Sequence, residues 1–219
     1  MNAVGREALV AAARRLDAAG FMPTKSGNLS IRTMEGFWIT PSGLPYAAMR
    51  AEDCVECDFE GRVLAGHHRP SSEWRLHAAI LSRRPEAMAV VHTHSPMATA
   101  LACARQEIPP FHYMIALAGG ARIPCAPYAA FGTQELADGA AETLGDTLRA
   151  TLLANHGTVA LGATLAAAEA LAGEVENLAR QYLALRAAGL SPVHLSPAEM
   201  AEVELRFSSY GSLGQSGMR

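Results

Sequence analysis

Met88-Ala89-Val90-Val91-His92-Thr93-His94-Ser95-Pro96 reads as an apolar strand that runs into two histidines and stops at a helix start. Side chains two apart on a strand leave from the same face, so His92 and His94 project together from its carboxyl end. An apolar strand ending in such a pair is a good base for two metal bonds. Ser95-Pro96 then opens an alanine-rich helix, with proline where a missing N–H costs nothing. The chain thus sets a strand and a helix side by side.

Toward the amino terminus, Ser71 or Ser72 is the expected N-cap of a helix that carries Glu73 in its first turn. Trp74, Leu76, Ile80 and Leu81 fill its inner face until Pro85. Before it, a strand pair around residues 54–64 turns at Glu60-Gly61, and a hairpin pairs 28–32 with 36–40 ahead of the loop Pro41-Ser42-Gly43-Leu44-Pro45. Residues 6–19 form an amphipathic helix closed by Gly20.

Toward the carboxyl terminus, residues 151–154 read as a strand that stops at Asn155-His156-Gly157, and 158–161 are expected to continue it beyond the glycine. A long alanine- and leucine-rich helix spans about 164–188 and ends at Gly189, and another covers about 197–207. Residues 208–219, rich in Gly and Ser, are expected to form a mobile tail unless a neighbouring subunit holds them. The length of 219 residues favours one domain over 1–219, with neither internal repeat nor linker.

Half the residues are hydrophobic, enough for a large core, and the net charge of −3 with scattered basic residues leaves no footprint for nucleic acid or an anionic membrane. The charged amino terminus and the lack of any apolar run long enough for a bilayer give a cytoplasmic expectation. Cys54, Cys57, Cys103 and Cys125 are too few to staple this chain, which suits a reducing compartment. Cys54 and Cys57 lack a second pair for a zinc ribbon, and a strand there places them on opposite faces.

A third ligand for a metal on His92 and His94 must come from elsewhere in the chain, and the leading candidate is His156, which also ends an apolar strand and precedes Gly157, where backbone can approach closely. Three neutral imidazoles suit Zn2+ and leave a position open for substrate or water. A lone histidine at a strand end is more often a hydrogen-bonded cap, but a same-face pair with a third reverses that weighting. His67, His68, His77, His112 and His194 lack the arrangement and read as surface or structural groups. Glu73 is either an ordinary first-turn glutamate or, beside a dication, a base. Gly27-Asn28, Ser42-Gly43 and Ser71-Ser72 offer donors of the kind that cradle a phosphate, each weak alone because such residues are common in turns.

Taken together these residues resemble the class II aldolase/adducin family over nearly the whole chain, from Ser26-Gly27-Asn28-Leu29-Ser30 to Tyr210-Gly211. The resemblance includes Ile39-Thr40-Pro41-Ser42-Gly43-Leu44-Pro45-Tyr46, Pro70-Ser71-Ser72-Glu73-Trp74-Arg75 and Val90-Val91-His92-Thr93-His94. His112-Tyr113-Met114-Ile115-Ala116, Ala118-Gly119-Gly120, Ile123-Pro124-Cys125-Ala126-Pro127-Tyr128 and Phe131-Gly132-Thr133 place it in the branch that cleaves ketose 1-phosphates.

That resemblance implies a three-layer α/β fold, a mostly antiparallel central sheet flanked by helices, assembled as a cyclic homotetramer with active sites between subunits. It implies Zn2+ on His92, His94 and His156, and a sugar phosphate held by Asn28, Ser42, Gly43, Ser71 and Ser72. Glu73 would move the proton at C1 of bound dihydroxyacetone phosphate, and Tyr113 of the adjacent subunit would handle the proton on the aldehyde oxygen. Phe131, Phe207 and Tyr210 would wall an apolar aldehyde end. No Schiff-base lysine is then needed, in keeping with Lys25 lying in a glycine loop rather than an apolar pocket. Asn155, Thr93 and the tail after Gly211 depart from the family pattern without removing a ligand. Two rival activities of the same fold, a methylthioribulose-1-phosphate dehydratase and a phosphorylated keto-acid decarboxylase, keep the same histidines. A non-catalytic adducin-like interaction protein would have lost them.

Overall fold

Strands that are apolar at successive positions build a sheet whose central members are buried on both faces. The computed structural model describes the backbone of residues 2–213 and the side chains of residues 5–207. Eight strands lie in one sheet: β1 (Asn28–Arg32), β2 (Phe37–Ile39), β3 (Val55–Cys57), β4 (Val63–Ala65), β5 (Ala89–Thr93), β6 (Cys125–Ala126), β7 (Ala150–Leu153) and β8 (Gly157–Gly162). Their order is β4-β3-β2-β1-β5-β8-β7-β6, antiparallel throughout except for the parallel β6–β7 edge.

Six helices cover the sheet: α1 (Asn2–Ala18), α2 (Trp74–Arg83), α3 (Pro96–Cys103), α4 (Gln134–Leu144), α5 (Leu165–Ala187) and α6 (Pro197–Leu213). One core joins α1, α3, α5 and α6 to sheet residues such as Leu29, Val91 and Ala160. The other joins α2 and α4 to Phe37, Val90, Val159 and Leu161. Neighbours along a strand thus enter opposite cores, as the two-residue repeat requires. Cys54 lies in the first core and Cys57 in the second, on opposite faces as expected. No helix among the described residues is long and apolar enough to cross a membrane.

Three local expectations are corrected. Residues 158–161 do not extend the preceding strand: β7 and β8 pair antiparallel, with Leu153 opposite Gly157. The chain reverses through Asn155, whose φ of 58° is a left-handed conformation that asparagine tolerates better than most residues. Neither Ser71 nor Ser72 caps α2. Glu73 holds the N-cap position without a side-chain cap bond, while the Ser71 hydroxyl accepts from the Glu73 N–H at 3.2 Å. The expected tail begins later than residue 208, because α6 continues through Leu213; the rest lies outside the described residues. Two elements had no counterpart in the sequence reading, β6 and α4, the latter capped by the Thr133 hydroxyl accepting from the Leu136 N–H.

Candidate active site

The sheet topology brings the ends of distant elements to one point. Asn28 opens β1 directly opposite His92 near the end of β5, and Thr93 pairs with Thr158 at the start of β8. His156 sits in the β7–β8 turn, and Glu73 stands at the amino end of α2. Two glycines permit this crowding. A Cβ on Gly157 would lie 2.4 Å from the Thr93 carbonyl oxygen, and one on Gly27 would lie 2.7 Å from that of His92.

Glu73, His92, His94 and His156 direct their ligand atoms to a common centre, all within 4.8 Å of one another. His92 Nε2 is 3.1 Å from Glu73 Oε2 and 3.1 Å from His94 Nε2, and His156 Nε2 is 3.2 Å from Glu73 Oε1. His92 Nδ1 lies 3.0 Å from the Thr158 carbonyl oxygen, which can only accept, so the ring proton belongs on Nδ1. The neutral ring then turns its Nε2 lone pair toward a carboxylate oxygen and another imidazole. Buried Glu73 Oε1 likewise has no hydrogen-bond donor. Lone pairs and a carboxylate aimed at one another repel unless a cation lies among them, and three nitrogens with one oxygen match the donors zinc accepts. These residues fit a divalent metal.

The electrostatics agree. Burial first, then the charges of His92 and His156, pushes His94 down to about 3, and burial and then His92 push His156 down to about 4, so both rings are neutral with free lone pairs near neutrality. Burial alone would raise the Glu73 carboxyl, but in the metal-free centre a proton taken up by His92, and after it one on His156, outweighs burial and holds Glu73 below the usual carboxylate range, a positive charge that a bound cation would supply instead. Burial would lower His92, but the Glu73 carboxylate beside it prevails and raises it.

A buried relay orients the centre from behind. The Ser30 hydroxyl donates to His77 Nδ1 at 2.6 Å, His77 Nε2–H donates to Asn28 Oδ1 at 2.5 Å, and Asn28 Nδ2 donates to Glu73 Oε2 at 2.8 Å. Fully buried His77, pushed down to about 3 chiefly by burial, is therefore the neutral Nε2–H tautomer. The sequence reading left His77 as a structural group and missed this link, since its partners lie on β1, far away in the chain. Asp53, His67 and His68 also converge, with His68 Nε2 2.9 Å and His67 Nε2 3.8 Å from one carboxylate oxygen; His67 is exposed, the other two are half-buried, and none of them lines the cavity over the Glu/His3 centre.

A cavity of about 320 Å³ opens over the centre, and Asn28, Ser42, Gly43, Ser71 and Ser72 all line it beside Glu73, His94 and His156. Phe131 lines its rim and is 71% exposed; Tyr128 and Asn155, which the sequence reading gave no role, line it too. Tyr113 is not brought there. It is half-exposed in a short 3-10 helix (Tyr113–Ala118), stacked on Phe207 with ring centres 6.2 Å apart. The Tyr210 side chain lies outside the described residues.

Residues 7–183 match the Class II Aldolase and Adducin N-terminal domain. The chain is 46% identical over 211 residues to a 5-methylthioribulose-1-phosphate/5-deoxyribulose-1-phosphate aldolase of Rhodospirillum rubrum, covering 96% of this chain and 94% of that one. It is 45% identical over 186 residues to the L-fuculose phosphate aldolase of Escherichia coli K12, covering 85% and 86% of the two chains. A solved L-fuculose 1-phosphate aldolase superposes with a TM-score of 0.89 at 36% identity, covering 93% of this chain and 96% of the other. With a Glu/His3 centre at the sheet end and relatives of this kind over nearly its full length, the chain belongs to the class II aldolase/adducin family, among its metal-dependent aldehyde-lyases.

Proposed function

We propose that this protein is a zinc-dependent aldolase that reversibly cleaves a ketose 1-phosphate with a short apolar end to dihydroxyacetone phosphate and an aldehyde. The favoured substrates are 5-methylthioribulose and 5-deoxyribulose 1-phosphates, ahead of L-fuculose 1-phosphate. The reading rests on one juxtaposition: the Glu/His3 centre opens into the same cavity as five uncharged donors of the phosphate-cradling kind. The order of substrates rests on the longer coverage of the pentulose-phosphate relative.

A zinc ion held by His92, His94 and His156 supplies Lewis acidity to the ketose carbonyl. Asn28, Ser42, Gly43, Ser71 and Ser72 fix the phosphate, and with it the carbon chain over the centre. Glu73, kept ionised and aimed by Asn28 Nδ2, exchanges a proton with the hydroxymethyl carbon of dihydroxyacetone phosphate. Exposed Phe131 meets the apolar aldehyde end; Phe207, stacked on Tyr113 and absent from the lining of its own chain's cavity, is assigned with Tyr210 to the aldehyde wall of a neighbour's site. Tyr113 lies outside its own chain's cavity, which supports the reading that it serves a neighbour's aldehyde oxygen in a cytoplasmic homotetramer.

A coupled assay for dihydroxyacetone phosphate, run on the three ketose phosphates with and without a chelator, tests this. Chelator-sensitive release, fastest with the two pentulose phosphates, is expected. No release from any of them by zinc-loaded protein would overturn the assignment.

A further inference from the structure

Lys25 is the only lysine of this chain; every other basic side chain that carries a fixed positive charge is an arginine. It stands where the backbone is strained. Thr24 and Lys25 have φ of 55° and 67°, the region that crowds a Cβ and favours glycine. The loop is nevertheless pinned, because the Tyr46 hydroxyl donates to the Gly27 carbonyl at 2.6 Å and the Ser26 N–H to that of Pro23 at 3.0 Å. So held, exposed Lys25 rests its amine on the Gly43 carbonyl oxygen, 3.4 Å away, and both residues line the cavity.

Away from the metal centre, the described lining of the cavity offers a phosphate no other cation. Asn28, Ser42, Gly43, Ser71 and Ser72 are neutral, Glu73 adds negative charge, and among the described lining residues Lys25 is the sole Lys or Arg. A phosphate monoester near neutral pH carries about −1.5 to −2 charges. Neutral donors fix its position, and a cation balances its charge.

We infer that Lys25 is the charge-complementing ligand of the substrate phosphate, its amine leaving the Gly43 carbonyl for the phosphate oxygens, and that it makes the site select a phosphorylated ketose over the free sugar. This rests on the ketose 1-phosphate reading and names the group that reading leaves out. The bond given up is long and runs to a neutral acceptor, whereas the bond formed joins opposite charges. Lysine suits the exchange because a flexible stem carries a single point charge, while an arginine fork seeks paired acceptors. The strained backbone is what a site keeps when function, not stability, selects the residue.

A single lysine gives a single side-chain signal. Zinc-loaded protein carrying 13C at the lysine Cε, titrated with inorganic phosphate, should show a saturable shift of that resonance. By calorimetry, Lys25→Met should weaken inorganic phosphate binding by about tenfold or more, with a matching rise in KM for the ketose phosphate. Lys25→Gly should weaken phosphate equally while raising the melting temperature, since it removes amine and strain together. Phosphate affinity within about twofold of the wild type in both variants would overturn the role of Lys25 and leave the aldolase reading standing. Wild-type protein that binds neither phosphate nor any ketose phosphate would remove both.

Discussion

Glu73 leaves the helix it caps unbonded and turns its carboxylate to three imidazoles. His94→Ala should therefore lose zinc and turnover together, whereas Glu73→Gln should keep zinc and lower kcat by about 10²–10⁴-fold, checked by metal analysis beside the coupled assay. His77→Leu keeps the volume but strands Asn28 and Ser30. Metal analysis should find zinc retained while the coupled assay finds kcat lowered by up to about 10²-fold, because Asn28 no longer aims the Glu73 carboxylate. The three histidines were legible because strand alternation and Gly157 place them without knowledge of the fold. His77 was not, because its meaning depends on Ser30 and Asn28, which only β1 beside α2 brings within 2.6 and 2.5 Å.

Among the elements, strands whose turns carry their own chemistry were read correctly, as in the hairpin of β1 and β2. The β7–β8 reversal escaped because its turn, Ala154-Asn155-His156, has no glycine at the position that goes left-handed; Asn155 takes it, pinned by its N–H to the Ala102 carbonyl at 3.0 Å and by Arg105 Nε to its own Oδ1 at 3.0 Å. The α4 helix went unread although its signal is in the sequence: Leu136, Ala137, Ala140, Ala141 and Leu144 recur at helical spacing behind the Thr133 cap and form its buried face. The start of α3, just after His94, depends on another element: buried Glu176 of α5 accepts from the N–H groups of Met97 at 3.0 Å and Ala98 at 2.9 Å. Glu176→Ala should cost about 1–3 kcal/mol in denaturant unfolding, because the buried Ala98 N–H and the part-buried Met97 N–H lose their acceptor.

For the molecule as a whole, the buried imidazoles set the response to acid. In the metal-free fold His77 and His94 stay neutral down to about 3 and His156 down to about 4, while in the unfolded chain each takes a proton near 6.5. The unfolded state thus binds more protons across that window, and their contribution to stability is lost as pH falls through it. The melting temperature of metal-free protein should drop steadily from about pH 7 to about pH 5, with His77 alone contributing at most about 1.4 kcal/mol per pH unit. The scattered origin of the residues proposed to hold zinc has a consequence in time. Glu73 comes from the edge of α2, His92 and His94 from the end of β5 and His156 from the β7–β8 turn, so no local segment can chelate the ion. Zinc must be the last guest to arrive. Stopped-flow refolding should run at the same rate with or without it, while unfolding slows once it is bound, so the metal acts as a latch on a finished topology rather than as a seed for it.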